Sequence, residues 1–176
     1  MNICSGDVID LTGLYTTAGW NTTWTLNGAV VSLPQQASVA GTYQLIAINN
    51  TGCADTAFVQ LTVNPLPTAG APAIVNICQG ASTDLTLLYN TTGLSATWYF
   101  NGSPVSNPSS VSAAGIYQLE LTNSAGCKAT TYAQVNYHPT PALGADQQLT
   151  PCEGNTIDLT ALYNTSGLNT GWTSGG

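Results

Sequence analysis

The side chains of this sequence that could do chemistry are few, and the cysteines are the most regular of them. They stand at positions 4, 53, 78, 127 and 152, spaced alternately by 49 and 25 residues, with no C-x-x-C and no paired histidine beside them. Zinc ligation needs such close spacing, so the pattern reads as structural disulfides, which persist outside a reducing cytosol. The carboxylates are also periodic: Asp10, Asp84 and Asp158 recur every 74 residues, while Asp7 stands alone. Acid–base catalysis wants paired carboxylates or an oriented histidine, so one aspartate per repeat points to a structural role. The sole histidine, His138, takes the place of Asn64 one repeat earlier and is expected to be solvated. No D-x-D-x-D-G run offers calcium its alternating oxygen ligands. The expectation is therefore no catalytic residue, no cofactor, no metal and no enzyme activity.

Composition narrows the partners. Of 176 residues only 5% are charged, with eight acids against one base, Lys128, for a net charge of -7. Nucleic acid is excluded, because one lysine cannot displace phosphate counterions. Membrane insertion is excluded too, since the longest apolar runs fall far short of the roughly 20 residues that span a bilayer. The 43% hydrophobic content predicts a folded chain. With so few charges, solubility rests on Thr, Ser, Asn and Gln, and trypsin has one site.

These residues are positioned by a repeat written two and a third times. Cys4, Cys78 and Cys152 lie 74 apart, and so do Tyr15, Tyr89 and Tyr163, and Trp24, Trp98 and Trp172. The same offset relates Asn27-Gly28 to Asn101-Gly102, Gly41-Thr42-Tyr43 to Gly115-Ile116-Tyr117, and Gly52-Cys53 to Gly126-Cys127. A period this long suits a small independent domain rather than a solenoid turn. Each repeat reads as all-β: strands over 8–15 and 82–89, hairpins through Asn-Gly, an alternating strand from Tyr43 or Tyr117, and a last strand after Gly-Cys. The Pro-containing linkers NPLP and HPTP then set boundaries near Asn64 and His138. The expected modules are 1–64, lacking its first strand, 65–138, and 139–176, holding only the N-terminal part of a third. The opening MNICSGDVIDL lies inside the repeat pattern, so the chain reads as a fragment of a longer parent or one completed by its neighbours.

The string A-G-T-Y-Q-L-I-A-I-N-N-T-G, with a strand-borne Trp upstream in T-W-T-L-N-G, resembles immunoglobulin-like modules over essentially the whole chain. The core disulfide of that pattern is missing: its positions hold Leu45 or Leu119, and Gly13 or Leu87 on the facing strand. The combination C-x-G before that strand, G-x-Y, and N-x-x-G-C resembles the repeats of bacterial gliding-motility-associated surface adhesins secreted by the type IX route. This resemblance implies tandem immunoglobulin-like β-sandwiches in long, filamentous surface proteins. If the strand order is immunoglobulin-like, Cys4 and Cys53 sit at opposite ends of a module, and pairing within a module is strained. Two pairings remain open: a staple between modules from Cys4 to Cys127, and pairing within modules of Cys4 with Cys53 and Cys78 with Cys127. The end-to-end geometry slightly favours the staple. Cys152 lacks a partner on either scheme.

Trp24, Trp98 and Trp172 recur on the inward face and are expected in cores. Trp20, replaced by Leu94 and Leu168, and Tyr99, replacing Thr25, are expected to be exposed and are the candidates for stacking on sugar rings. Asp55-Thr56-Ala57 resembles the short O-glycosylation signal of the same bacteria and makes Thr56 the candidate acceptor. The function expected is a non-enzymatic structural segment of a secreted cell-surface filament or adhesin shaft, whose partners are neighbouring modules or copies of itself. The alternative is a carbohydrate-binding surface module whose partner is surface polysaccharide.

Overall fold

A computed structural model describes residues 1–174 of the chain. In the first repeat the strands are β1 (Asn2–Cys4), β2 (Asn21–Leu26), β3 (Ala29–Val30), β4 (Gly41–Ile48) and β5 (Ala54–Asn64). Period-two alternation builds the centre of the sheet: β4 buries Tyr43, Leu45 and Ala47 and turns the residues between them outward. Antiparallel pairing with β2 and β5 and a parallel pairing of β1 with the end of β5 give the order β1-β5-β4-β2-β3. Asn27 and Gly28 close the β2–β3 hairpin at φ 52° and 82°, the two left-handed residues that a type I′ turn requires.

The second repeat rebuilds this sheet 74 residues later from β6 (Ala73–Cys78), β7 (Ser95–Phe100), β8 (Ser103–Pro104), β9 (Gly115–Thr122) and β10 (Lys128–His138), in the order β6-β10-β9-β7-β8. Each repeat carries a tyrosine corner: the Tyr43 hydroxyl donates to the Val39 carbonyl at 2.9 Å, and Tyr117 to Ala113 at 3.0 Å. The fold is all-β, a tandem of immunoglobulin-like β-sandwich modules.

The layer facing each sheet is thinner than the sequence suggests. The strands expected over 8–15 and 82–89 shrink to single bridges, Ile9 to Ala37 and Thr83 to Val111, followed by 3₁₀ turns at Thr12–Leu14 and Leu85–Leu87. The cause is local. Asp10 Oδ1 accepts the Thr12 N–H at 2.8 Å and hydroxyl at 2.6 Å, and Asp84 holds Thr86 at the same distances. Such side-chain bonds to the nearby backbone compete with a strand ladder and curl the chain. The turn also moves the core position. Leu11 and Leu85 are fully buried with Leu45 and Leu119, whereas Gly13 sits in the turn and Leu87 is 81% exposed. The pair that stands in for the missing core disulfide is therefore Leu11 with Leu45 and Leu85 with Leu119, packed with Trp24 and Trp98.

Residues 139–174 keep the local habits of a repeat without its sheet. Asp158 holds Thr160 as its counterparts do, ahead of a 3₁₀ turn at Leu159–Ala161. Tyr163 and Trp172 lie 6.1 Å apart, as do Tyr15 and Trp24. No strand occurs after His138 among the described residues. Trp172 is consequently 47% exposed rather than in a core, because no strand among the described residues covers it.

Candidate functional site

Each repeat presents a cysteine at both ends of its sheet. Cys4 ends β1 in register with Asn64, the last residue of β5, whereas Cys53 immediately precedes β5. The 11 residues of β5 separate the two ends by about 35 Å. A disulfide needs its Cα atoms within about 7 Å, so the two cysteines of one repeat cannot meet. The end bearing Cys4 or Cys78 is termed distal, and the end bearing Cys53 or Cys127 proximal.

The distal cysteine sits at the start of a tight turn. The Asp7 N–H donates to the Cys4 carbonyl at 3.0 Å, Asp7 Oδ2 accepts the Cys4 N–H at 3.2 Å, and Gly6 takes φ 95°. The Ser5 N–H donates to Asn64 at 2.8 Å and clamps the turn to β5. The proximal cysteine closes a loop organised by an asparagine. Asn123 Oδ1 accepts the N–H groups of Ala125 and Cys127, both at 3.0 Å, and the Asn123 N–H donates to the Cys127 carbonyl at 3.0 Å.

At the junction of the two repeats these ends meet. Cys4 and Cys127 form a disulfide, with Cα atoms 5.5 Å apart and a sequence separation of 123 residues. Asn123 adds a second tie, its Nδ2 donating to the Pro65 carbonyl in the linker at 2.8 Å. Cys127 is buried, and a cleft of about 580 Å³ beside the bond is lined by residues of the distal turn and by Ala125 of the proximal loop. The linker from Asn64 and the disulfide from Cys4 thus leave adjacent strands and cross the junction side by side. The pairing within repeats, Cys4 with Cys53 and Cys78 with Cys127, is not formed. Cys53, Cys78 and Cys152 are free and exposed.

The remaining candidates are scattered. Trp20, 49% exposed, lines a cleft of about 120 Å³ with Tyr15, Leu45, Ala47, Asp55 and Thr56, so the first repeat's exposed indole and the candidate acceptor threonine share one groove. The Thr56 N–H donates to Asp55 Oδ1 at 2.8 Å. Tyr99 lies in the second repeat and is half-buried rather than exposed as expected. It lies in register with Gln118, which pairs in turn with the exposed Tyr132, forming an aromatic–amide–aromatic row on the outer face of the second sheet. His138 is exposed, its Nε2 3.2 Å from Asn76 Oδ1. No group of three or more His, Cys, Asp or Glu residues gathers as a metal site among the described residues. No helix among them is long and apolar enough to cross a membrane.

Electrostatics is sparse. The Thr12 hydroxyl and N–H hold the Asp10 carboxyl below its ordinary range, and Thr160 does the same for Asp158. The Glu120 carboxylate, 2.8 Å from Lys128 Nζ, raises the ammonium. Burial raises the Tyr117 phenol.

The residue that sequence reading undervalued is Asn123, with Asn49 its equivalent. Both stand first in N-x-x-G-C, a motif legible as a mark of the repeat. The reach of the Asn123 amide across to Pro65 carried no signal of its own.

No protein-family model matches the chain, and no curated protein matches it. Among solved structures, immunoglobulin domains 1–4 of Sidekick-1 align with 84% of this chain and 51% of theirs, at 18% identity and a TM-score of 0.31. The insect immune protein hemolin aligns with 78% of this chain and 44% of its own, at 16% identity and a TM-score of 0.38. A Bacteroides ovatus protein of the mixed-linkage glucan utilization locus, in complex with a heptasaccharide, aligns with 77% and 42%, at 18% identity and a TM-score of 0.30. The chain spans about half or less of the length of these structures.

Proposed function

We propose that this chain is a non-enzymatic structural segment, a stretch of the shaft of a secreted cell-surface filament or adhesin, built from modules over 1–64, 65–138 and the first part of another over 139–176. The observation that carries the reading is the Cys4–Cys127 bond. Cys4 ends the short β1 and Cys127 immediately precedes β10. Tension applied at the two ends of the chain therefore follows a covalent route from β1 through the disulfide and along β10. It bypasses both cores, and no sheet hydrogen bonds have to resist it. A ligand-binding enzyme domain has no use for such a route, whereas a load-bearing shaft does. An oxidised bond and a nearly uncharged surface of Thr, Ser, Asn and Gln suit an extracellular setting. The resemblance to type IX-secreted adhesin repeats points the same way.

Single-molecule stretching from both termini tests this. The oxidised chain is expected to keep the residues between Cys4 and Cys127 locked at forces that unfold ordinary modules. Reduction should release them, adding about 400 Å of contour for a separation of 123 residues at about 3.3–3.6 Å each. Release of that length without reductant would sink the reading.

A second reading, carbohydrate binding, is favoured by the Tyr99–Gln118–Tyr132 row, since one half-buried and one exposed ring flanking an amide can stack on and hydrogen-bond a sugar chain. The heptasaccharide in the Bacteroides ovatus structure belongs to that protein. Retention on immobilised polysaccharide that is lost on Tyr99→Ala or Trp20→Ala would favour this reading, and passage without delay would remove it.

A further inference from the structure

We propose that the junction between the two repeats is a one-axis hinge: it bends about the line joining its two covalent crossings, resists twist, and has Asn123 as its pin. The inference concerns motion at the junction and does not depend on the reading of the chain as a shaft.

Three observations carry it. First, the crossings are adjacent. Cys4 and Asn64 are register neighbours, so the disulfide and the Asn64–Pro65 peptide bond leave the first repeat about 4.8 Å apart. Cys127 Sγ lies 3.9 Å from the Asn64 carbonyl oxygen. A single connection lets one module swivel on the other. Two side by side restrict rotation to the line through both, which here runs across β1 and β5 in the plane of their sheet.

Second, the peptide crossing is short because of Asn123. Without a clamp the linker would run free from Asn64 to Gly70, whose carbonyl accepts the Thr131 hydroxyl at 3.1 Å. The Asn123 Nδ2 donates to the Pro65 carbonyl at 2.8 Å, one residue past Asn64, while Asn123 Oδ1 accepts the Cys127 N–H at 3.0 Å. One side chain thus fixes both crossings to the second repeat. Third, the rest of the junction is open. The two cores are separate clusters that share no residue, and among the described residues no other hydrogen bond crosses between the repeats. The cleft of about 580 Å³ beside the bond leaves room on one side. Bending that way closes it until Ala125 meets the distal turn at Gly6, Asp7 and Val8. Such motion needs only the dihedral changes of a few residues at the crossing.

The test is NMR on the oxidised chain carrying Cys78→Ser and Cys152→Ser, with a lanthanide tag on the exposed thiol of Cys53 in the first repeat. Residual dipolar couplings in the first repeat report the alignment that the tag imposes, and those in the second report how it moves on the first. For the native junction the second-repeat couplings are expected to keep their full size along one axis and to be averaged down across it. Asn123→Asp keeps the oxygen acceptor that organises the loop and loses the donor to Pro65. It is expected to shrink the second-repeat couplings several-fold along every axis, with the first-repeat couplings unchanged. The Cys4→Ser, Cys127→Ser double variant, which removes the other crossing, is expected to do the same. Native couplings of full size along every axis would mark a rigid junction and overturn the proposal. Native couplings that shrink evenly in all directions also overturn it, and so does an Asn123→Asp variant that keeps the native axis.

Discussion

Removing the Cys4–Cys127 bond changes how the two repeats unfold as well as how far they extend. With the first repeat folded, Cys4 and Asn64 are register neighbours, so unfolding the second repeat alone leaves a closed loop of about 60 residues. Loop-closure entropy makes that state less accessible by about 4.3 kcal/mol than in a chain with no bond. The same holds when the first repeat unfolds alone. Unfolding both leaves one loop of 123 residues, which costs about 4.9 kcal/mol in total. The second repeat to unfold is thus opposed by only about 0.6 kcal/mol more, and the bond couples the two by about 4 kcal/mol. The oxidised protein should melt in one calorimetric transition, with calorimetric and van't Hoff enthalpies equal. The Cys4→Ser, Cys127→Ser double variant, in a background with the three free cysteines also changed to serine, should melt lower by about 15–30 °C. Its calorimetric enthalpy should be about twice the van't Hoff value, as for two independent units. An unchanged midpoint and a single transition in the variant would refute this reasoning, because the repeats would then be coupled through their noncovalent junction.

Two further outcomes follow from local geometry. A Cβ on Gly115, which sits at φ 143°, would lie 2.7 Å from Phe100 Cε2, so Gly115→Ala should cost about 2–4 kcal/mol in urea unfolding. Gly13→Ala, which meets nothing within 4 Å and needs no positive φ, should stay within about 0.5 kcal/mol. Asp10, with its folded pKa lowered, adds stability above the ordinary carboxylate range and loses it as pH falls through the folded value. The stability difference between the native protein and Asp10→Asn should therefore be constant near neutral pH and shrink below about pH 4. A difference that grows on acidification would contradict the Thr12 hydrogen bonds.

Much of this architecture was legible because its causes are local or periodic. A repeat of 74 needs only residue identity to be seen, Asn-Gly closes a hairpin by its own φ preference, and Gly41 and Gly115 precede a corner tyrosine where a side chain would strike Leu26 or Phe100. What was hidden depends on competition. The apolar spacing of VIDLTGLY satisfies a strand, yet the Asp10 carboxylate recruits Thr12 and turns the chain immediately after the core leucine, Leu11. Gly13 and Leu87 were consequently misplaced. Trp172 was misplaced for the opposite reason: its local pairing with Tyr163 forms, but burial requires strands far along the chain. At the junction, cysteine spacing alone allowed two pairings. The parallel register of β1 with the far end of β5 separates them, because it places Cys4 an entire strand away from Cys53.

That register also gives a physical reason for the thin second layer. A repeat of this size buries only about 60% of its unfolded surface and is marginal by itself. Its facing layer here is one bridge and two short turns. In an ordinary chain of beads such a module would be the first to open under load, since tension would pass through its hydrogen bonds. Where each distal cysteine is bonded to the next proximal one, tension passes through one strand per module instead. It runs down β1, across the disulfide, along β10 and into the linker, and the sheet serves only to hold those two strands in register. Strength is then covalent and length is fixed by strand rise, so a heavier core would add nothing to the strength of such an array. The demand on each module falls to keeping two cysteines at opposite ends of one straight sheet, which an 11-residue strand and a buried tryptophan achieve.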